Sequence, residues 1–179
     1  SYDSTDEVRR RLLSLWNVFV FFNTYAVIDN PNLQGYKPNV DSLTITDKWL
    51  ITRTNEFAKI AEKNYEAVKT CEVIAEFEKF VDELSNWYVR RSRERFWVHG
   101  ETDDKTAAFA TLYYVLVELS KLAAPFVPSI TEQIYQNLVC SVDKNAPISV
   151  HLCDYPVADK KLIDEELNLG METVLQISN

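Results

Sequence analysis

The sequence predicts an all-α protein, an up-and-down helical bundle with a short irregular C-terminal extension. Apolar residues recur at helical spacing through most of the chain, and the sequence contains neither an internal repeat nor a ladder of alternating strands. Only three glycines and six prolines occur in 179 residues, so little of the chain can be low-complexity or disordered. At this length we expect one domain with one sizeable core.

The first helix is predicted to end near Ile28. Ser4 and Glu7 have the spacing of a capping box, and a stripe of apolar residues follows them. The stripe consists of Val8, Leu12, Leu15, Phe19, Phe22 and Ala26. Two prolines, a glycine and several Asn or Asp residues then make residues 29–39 a loop.

Two further helices follow this loop. The second is predicted from a cap around Thr46 and Asp47 to about Tyr65, because apolar residues occupy one face and Lys or Glu the other. The third is predicted to run from about Thr70 to near Trp97, a length of about 40 Å at 1.5 Å per residue.

A fourth helix is predicted to form the centre of the bundle. It starts at Thr102, with two aspartates in its first turn, and is apolar on most sides over residues 107–124. A helix with so little polar surface belongs inside a bundle. Pro125 and Pro128 then interrupt the helical pattern.

The C-terminal part is predicted to contain shorter elements. Ser129 and Glu132 have the spacing of a capping box for a short fifth helix. A short strand is predicted over residues 149–153 and a last helix over residues 162–177. The resulting domain assignment is a helical bundle over residues 1–139 and an extended segment with the start of a further helix over residues 140–179.

The overall charge argues against non-specific nucleic-acid binding. The formal net charge is -8 and the sequence pI is about 4.8. Gly35, Gly100 and Gly170 lie too far apart for a glycine-rich phosphate loop or a dinucleotide fingerprint, which excludes nucleotide binding of those kinds.

Other compositional signals favour a cytoplasmic protein without an active site. The three cysteines form no CxxC pair, so reduced thiols are expected and a metal site is not. No apolar run reaches the roughly 18 residues that span a bilayer, so we expect no membrane partner. His99 and His151 are the only histidines, and neither has a nucleophile or carboxylate at a recognisable spacing.

The end of the third helix is the most basic helical stretch. Residues 86–97 carry four arginines and one glutamate. At 100° per residue, Arg91 and Arg95 continue the apolar face, whereas Arg90 and Arg93 point away from it with Trp97. These arginines and rings could contact RNA, through paired phosphates and stacked bases. Alternatively, they are cations at a helix C-terminus that complement the helix dipole.

The first helix carries a second column of side chains, Asn17, Phe21 and Tyr25, spaced four residues apart. Two rings below an amide could stack on an unpaired base and read it. Alternatively, the helix packs on two sides within the bundle and buries both rings.

Five segments closely resemble the anticodon-binding domain of isoleucyl-tRNA synthetase, in both order and spacing. Three of them are DKWLITRTN (47–55), NWYVRRSRERFW (86–97) and LAAPFVPSITEQIYQNL (122–138). LWNVFVFFNTYA (15–26) looks like the first bundle helix of that family, and SVHLCDYP (149–156) resembles the segment that leads towards the C-terminal junction.

The resemblance implies a piece excised from a larger enzyme. In that family, the parent uses ATP and Mg to activate isoleucine and transfers it to tRNA, and its HIGH and KMSKS motifs do not occur in this chain. The piece would therefore have no catalytic residues, cofactor or metal of its own. Its expected partners are the anticodon arm of isoleucine tRNA and the remaining domains of the synthetase, in the cytoplasm and with a monomeric state. The last helix would begin the C-terminal junction.

The family resemblance also implies which residues contact RNA. Candidates for contact with anticodon bases are Asn17, Phe21, Asn23 and Tyr25. Candidates for contact with phosphates and the stem are Arg90, Arg91, Arg93, Arg95 and Trp97. Two alternative functions stay open: a helical protein-interaction module without an RNA role, and the equivalent domain of a valyl relative.

Overall fold

Seven α-helices account for most of the computed structural model, which describes residues 2–33 and 43–178, with side chains for 6–33 and 43–177. No strand occurs in these ranges, so the predicted all-α class is confirmed. The helices are α1 (Tyr2–Asp29), α2 (Ile45–Glu66), α3 (Thr70–Asp82), α4 (Arg90–Trp97), α5 (Asp103–Ala123), α6 (Pro128–Tyr135) and α7 (Glu165–Ser178). Two π-helical segments, Glu83–Val89 and Gln136–Cys140, and two 3₁₀ turns, Val150–Leu152 and Lys160–Leu162, complete the described structure.

Helix α5 lies at the centre of the bundle, as predicted. Leu112, Val115 and Leu116 are completely buried along its length, and α2, α4, α6 and α1 all pack against it. Thr102 caps its N-terminus by accepting a hydrogen bond from the Lys105 amide.

Helices α1 and α4 run in the same direction, which brings their C-terminal turns to one end of the bundle. Arg11 bonds to Asp82 near the start of this pair, and the rings of Phe21 and Phe96 meet near its end. We call this end, formed by the last turns of α1 and α4 and the first turns of α2 and α5, the Trp97 end. A salt bridge of 2.8 Å from Lys105 to Asp29 ties α5 to α1 there.

The predicted third helix is continuous but not entirely α-helical. Residues 83–89 form a π-helical segment between α3 and α4. An i→i+5 turn shifts the angular position of every later side chain. The prediction that Arg91 continues the apolar face is therefore wrong: Arg91 is exposed, and Ser92 and Phe96 carry the buried face onward.

Two predicted helix starts also differ from the structure. The N-cap of α2 is Thr44, two residues earlier than expected, and Asp47 completes its capping box from position N3. The predicted box of Ser129 and Glu132 is wrong, because α6 already begins at Pro128 and the Glu132 carboxylate accepts from Ser149 and the Val150 amide instead.

The predicted strand over residues 149–153 is a 3₁₀ turn. Ser149 itself has extended backbone angles, and its hydroxyl accepts from the His151 amide. The backbone then turns within three residues, which leaves no segment to pair as a strand. The last helix begins at Glu165, three residues later than predicted. The first predicted capping box is also wrong in position, because α1 already begins at Tyr2 and Ser4 lies within the helix.

Helix α1 is apolar enough over Asp6–Asp29 to cross a membrane by length and composition alone, contrary to our expectation for this chain. The core helix of a bundle passes the same test. Leu15, Val18 and Phe22 of this stretch are buried against the other helices, whereas Val20, Val27 and Ile28 are exposed.

Candidate nucleic-acid interface

A buried ion pair fixes the last turns of α4 at the Trp97 end. Both terminal nitrogens of Arg95 lie 2.8 Å from the two carboxylate oxygens of Asp47, at the start of α2. The Tyr88 hydroxyl donates to the same carboxylate at 2.6 Å. Arg95 also binds Asp104 of α5 through Nε at 3.0 Å. One guanidinium group thus joins α4 to both α2 and α5.

Hydrogen bonding determines the charge state of this cluster. Burial alone would raise the pKa of the Asp47 carboxyl, but the hydrogen bonds from Arg95 and Tyr88 outweigh it and hold the pKa below its ordinary value. Burial and the neighbouring Asp47 charge raise the pKa of Tyr88 far above the usual range, so its hydroxyl remains a donor. The ion pair is therefore charged at neutral pH.

This geometry removes Arg95 from the free cations that we expected. Its side chain is only 15% exposed, and two carboxylates occupy its donors. Within the part of the chain that the structure describes, Arg90 and Arg93 have no such partner and are exposed. Arg91 lies over the Trp87 ring at 4.8 Å. The cations that can meet a ligand are thus Arg90, Arg91 and Arg93.

The column on α1 meets the arginines of α4. The Phe21 ring packs edge-on against Phe96 at 5.1 Å and lies at the same distance from Tyr25. The guanidinium of Arg93 stands 6.0 Å from the centre of the Phe21 ring. Phe21 and Tyr25 are half-buried, so each residue packs on the core and is still partly exposed to solvent.

The other predicted contacts fall into two groups. Asn17 is exposed one turn before Phe21, and Trp97 is 52% exposed at the end of α4, so both extend the same surface. Asn23 lies about 200° around α1 from Phe21, at 100° per residue, and faces a different side of the bundle. Asn17 and Trp97 thus lie on one surface with the rings of α1 and the free arginines of α4. We call this surface the α1–α4 surface; it consists of Asn17, Phe21, Tyr25, Arg90, Arg93 and Trp97.

Arg91 faces a groove between α1, the π-helical segment and α7. This groove has a volume of about 1010 Å³, and its lining includes Arg11, Trp87, Arg90 and Arg91. Asp82 and Glu172 also line it, so its charge is mixed. Arg90 therefore belongs both to the lining of the groove and to the α1–α4 surface.

A sequence model of the family described as "Anticodon-binding domain of tRNA ligase" matches residues 47–179, most of the chain. This chain belongs to that family. It is 47% identical over 178 residues to isoleucine–tRNA ligase from Clostridium novyi, covering 99% of the chain and 17% of the relative. The enzyme of the same name from Thermus thermophilus is 42% identical over 175 residues, covering 96% of the chain and 16% of the relative.

These relatives confirm the resemblance to the isoleucyl enzymes. The anticodon-binding domain spans about 17% of the length of the curated relatives that it matches. The match to Clostridium acetobutylicum isoleucine–tRNA ligase, at 46% identity over 178 residues, has the same extent.

The segments that carry the resemblance meet in the interior of the anticodon-binding domain. Asp47 belongs to DKWLITRTN, and Tyr88 and Arg95 belong to NWYVRRSRERFW. The rings of Trp49 and Trp87 from the same two segments lie 4.9 Å apart. Much of the recognisable pattern is therefore a packing requirement, and only part of it lies at the surface.

A second buried cation, which the sequence did not lead us to predict, lies in α2. Arg53 of α2 is 4% exposed and binds Glu76 and Glu83 at 2.8 Å each, with Glu56 at 3.4 Å. The signal was available, because Arg53 lies within an otherwise uncharged run of α2, where a charged residue requires a partner.

Burial is the main influence on the pKa of Glu83 in this second cluster. It raises that pKa above its ordinary value although Arg53 lies beside the carboxylate, and three carboxylates share this one cation. Glu83 is the first residue of the π-helical segment, so Arg53 anchors that segment to α2.

Proposed function

We propose that this anticodon-binding domain holds the anticodon arm of isoleucine tRNA as part of an isoleucine–tRNA ligase. In that enzyme the remaining domains would activate isoleucine with ATP and Mg and transfer it to the tRNA. The domain itself would take no part in the chemistry and would need no cofactor. Its work would be done in the cytoplasm, as one part of a monomeric chain, by selecting the tRNA through bases distant from the catalytic site.

The contact of Arg93 with Phe21 is the observation that carries this proposal. A cation without a carboxylate partner among the described residues lies beside a half-buried aromatic ring. Single-stranded RNA is bound by this combination, because bases stack on aromatic rings and phosphates pair with arginine. Tyr25 and Trp97 extend the stacking surface on either side, and Asn17 adds an amide that can bond to a base edge.

The distribution of charge supports specific rather than general RNA binding. Residues 86–97 hold four arginines and one glutamate, and three of these arginines have no carboxylate partner among the described residues. Residues 154–179, in contrast, hold six acidic residues against two lysines. Residues 56–84 hold eight acidic residues against four lysines. The positive field is therefore local, and repulsion elsewhere would keep the domain from arbitrary RNA.

We expect Arg93→Ala, and to a similar extent Arg90→Ala, to weaken binding of an isoleucine tRNA anticodon stem-loop about 10-fold. Each change removes a charge-assisted hydrogen bond to phosphate, which is worth roughly 1.5–3 kcal/mol. Neither arginine is in a structural ion pair among the described residues, so the melting temperature should stay within about 1 °C, as expected for surface substitutions. Fluorescence anisotropy and thermal melting of the same preparations measure both quantities.

Arg9→Ala is the matched control. Arg9 is exposed near the start of α1, at the opposite end of the bundle, and its loss changes the net charge equally. If all three variants bound RNA equally well, the α1–α4 surface would not be the RNA site. The logarithm of the binding constant should fall with the logarithm of the salt concentration, with a slope of about 0.7 for each phosphate that is neutralised. A flatter slope would instead favour an acidic protein partner.

A further inference from the structure

Two of the three cysteines lie around the side chain of Tyr135. Cys140 ends the second π-helical segment, and Cys153 directly follows the first 3₁₀ turn. Both pack against a small apolar cluster that contains the buried ring of Tyr135, and both are half-buried. The third cysteine, Cys71, is exposed near the start of α3. The fold therefore brings two thiols to one place and leaves the third apart from them.

Hydrogen bonds place both thiols beside the Tyr135 hydroxyl. This hydroxyl donates to the Pro147 carbonyl at 3.0 Å, and the Cys140 thiol donates to the same oxygen at 3.4 Å. Burial raises the pKa of Tyr135, and a hydrogen bond with the Cys153 side chain raises it further. The two thiols thus approach one phenol oxygen from two different segments of the chain.

The loop between the two cysteines is folded back onto the helix that precedes it. The Glu132 carboxylate of α6 accepts from the Ser149 hydroxyl and from the Val150 amide, both at 2.9 Å. These bonds, together with those to the Pro147 carbonyl, hold the end of the loop of residues 141–152 against α6. The second cysteine is thereby returned towards the first.

We propose that Cys140 and Cys153 form a reversible disulfide when the domain meets a peroxide. A disulfide joins Cα atoms that are about 4.4–6.8 Å apart, so both sulfur atoms would turn from their carbonyl acceptors towards each other. This modification site is separate from the α1–α4 surface, and the proposal does not depend on RNA binding.

The oxidation balances with one peroxide. Burial raises the pKa of the Cys140 thiol, which slows its own reaction with peroxide, so we start at Cys153. The Cys153 thiolate attacks one peroxide oxygen, the O–O bond breaks, and a sulfenic acid forms while the hydroxide takes up a proton as water. The Cys140 sulfur then attacks the Cys153 sulfur, the S–O bond breaks, and hydroxide leaves with the Cys140 proton as a second water. Two thiols lose two electrons, and one peroxide gains them.

The disulfide would clamp the loop of residues 141–152 onto α6. A cross-link that closes a short loop stabilises a protein mainly by constraining its unfolded chain. We expect the peroxide-treated Cys71→Ser variant to melt about 5 °C higher than the same protein after treatment with dithiothreitol. An unchanged or lower melting temperature would contradict the clamp.

Peptide mapping tests the bond itself. The folded domain is treated with hydrogen peroxide, its free thiols are blocked with iodoacetamide, and it is digested with trypsin without reductant. Lys144 is the only Lys or Arg between the two cysteines, so trypsin separates them into the peptides 122–144 and 145–160. We expect mass spectrometry to show these two peptides joined and two hydrogen masses lighter than their sum. Dithiothreitol should release them.

Two cysteine variants are the controls for this mapping. Cys71→Ser should leave the yield of the joined peptides unchanged, because Cys71 takes no part, whereas Cys153→Ser should abolish them. The proposal would be overturned if peroxide joined Cys140 or Cys153 to Cys71 instead. It would equally be overturned if Cys140 and Cys153 were recovered only as separate blocked thiols or as separate sulfinic acids.

Discussion

Asp47→Ala should lower the free energy of unfolding by about 3–5 kcal/mol, the loss expected when one partner of a buried ion pair is removed. The Asp47 carboxylate is fully buried and binds both Arg95 and Tyr88. The substitution leaves the Arg95 charge with only Asp104 and also removes the N3 residue of the capping box of α2. Chemical denaturation followed by circular dichroism measures the effect.

A matched surface substitution and the dependence on pH test the cause. Asp154 is exposed and has no partner among the described residues, so Asp154→Ala should change the stability by less than about 0.5 kcal/mol. The folded-state pKa of Asp47 is lowered from 3.8, so its contribution is complete above that pH. It is lost as the pH falls through the lowered pKa, and the wild type and Asp47→Ala should then converge. A constant difference down to pH 2 would contradict the ion-pair explanation.

Arg53→Met should also lower the free energy of unfolding by about 3–5 kcal/mol at pH 7, because it leaves buried carboxylates without their cation. Glu83 and Glu76 would then be buried or half-buried beside each other without the cation that they share. The pKa of Glu83 is already raised above 4.5 in the native protein and should rise further. In the folded variant Glu83 binds a proton more readily than in the unfolded chain, so the variant should regain stability as the pH falls from 7 towards 4.5.

The double variant Arg53→Met/Glu83→Gln checks this explanation. It removes the cation and neutralises its most buried partner, and buried ion pairs are often replaced without loss by uncharged residues. We expect it to be more stable at pH 7 than Arg53→Met alone. An equal or lower stability would mean that Arg53 acts mainly through packing, for which its position 5.9 Å from the Phe80 ring offers a route.

Elements with strong local signals were predictable from the sequence. The cap of α5 at Thr102 depends on residues a few positions apart and agrees with the structure. The predicted stripe of α1 is buried at Leu15, Phe19 and Phe22, but its first residue, Val8, is exposed. The π-helical segment Glu83–Val89 was not predictable in this way. Side chains of this segment make long-range contacts with α2, including Glu83 with Arg53 and Trp87 with Trp49. No spacing of residues within the segment itself predicts a π-helical turn.

The sequence predicted most residues of the candidate site, but only some of the contacts between them. The sequence singled out Phe21 and Arg93 separately, and the structure brings them together. It also singled out Arg95, whose partner Asp47 is 48 residues away and could not be paired with it by spacing. The sequence left two possibilities open for the α1 rings, base stacking or burial, and half-burial allows each ring to serve both purposes.

The most direct measurement of the central claim is a footprint of isoleucine tRNA with and without this domain. We expect protection from chemical or nuclease cleavage in the anticodon loop and the adjoining stem, and weaker protection of the same positions in an unrelated tRNA. Arg93→Ala should reduce that protection, whereas Arg9→Ala should leave it unchanged. If protection were absent from the anticodon arm, or equal in both tRNAs, the domain would not recognise the anticodon arm of isoleucine tRNA.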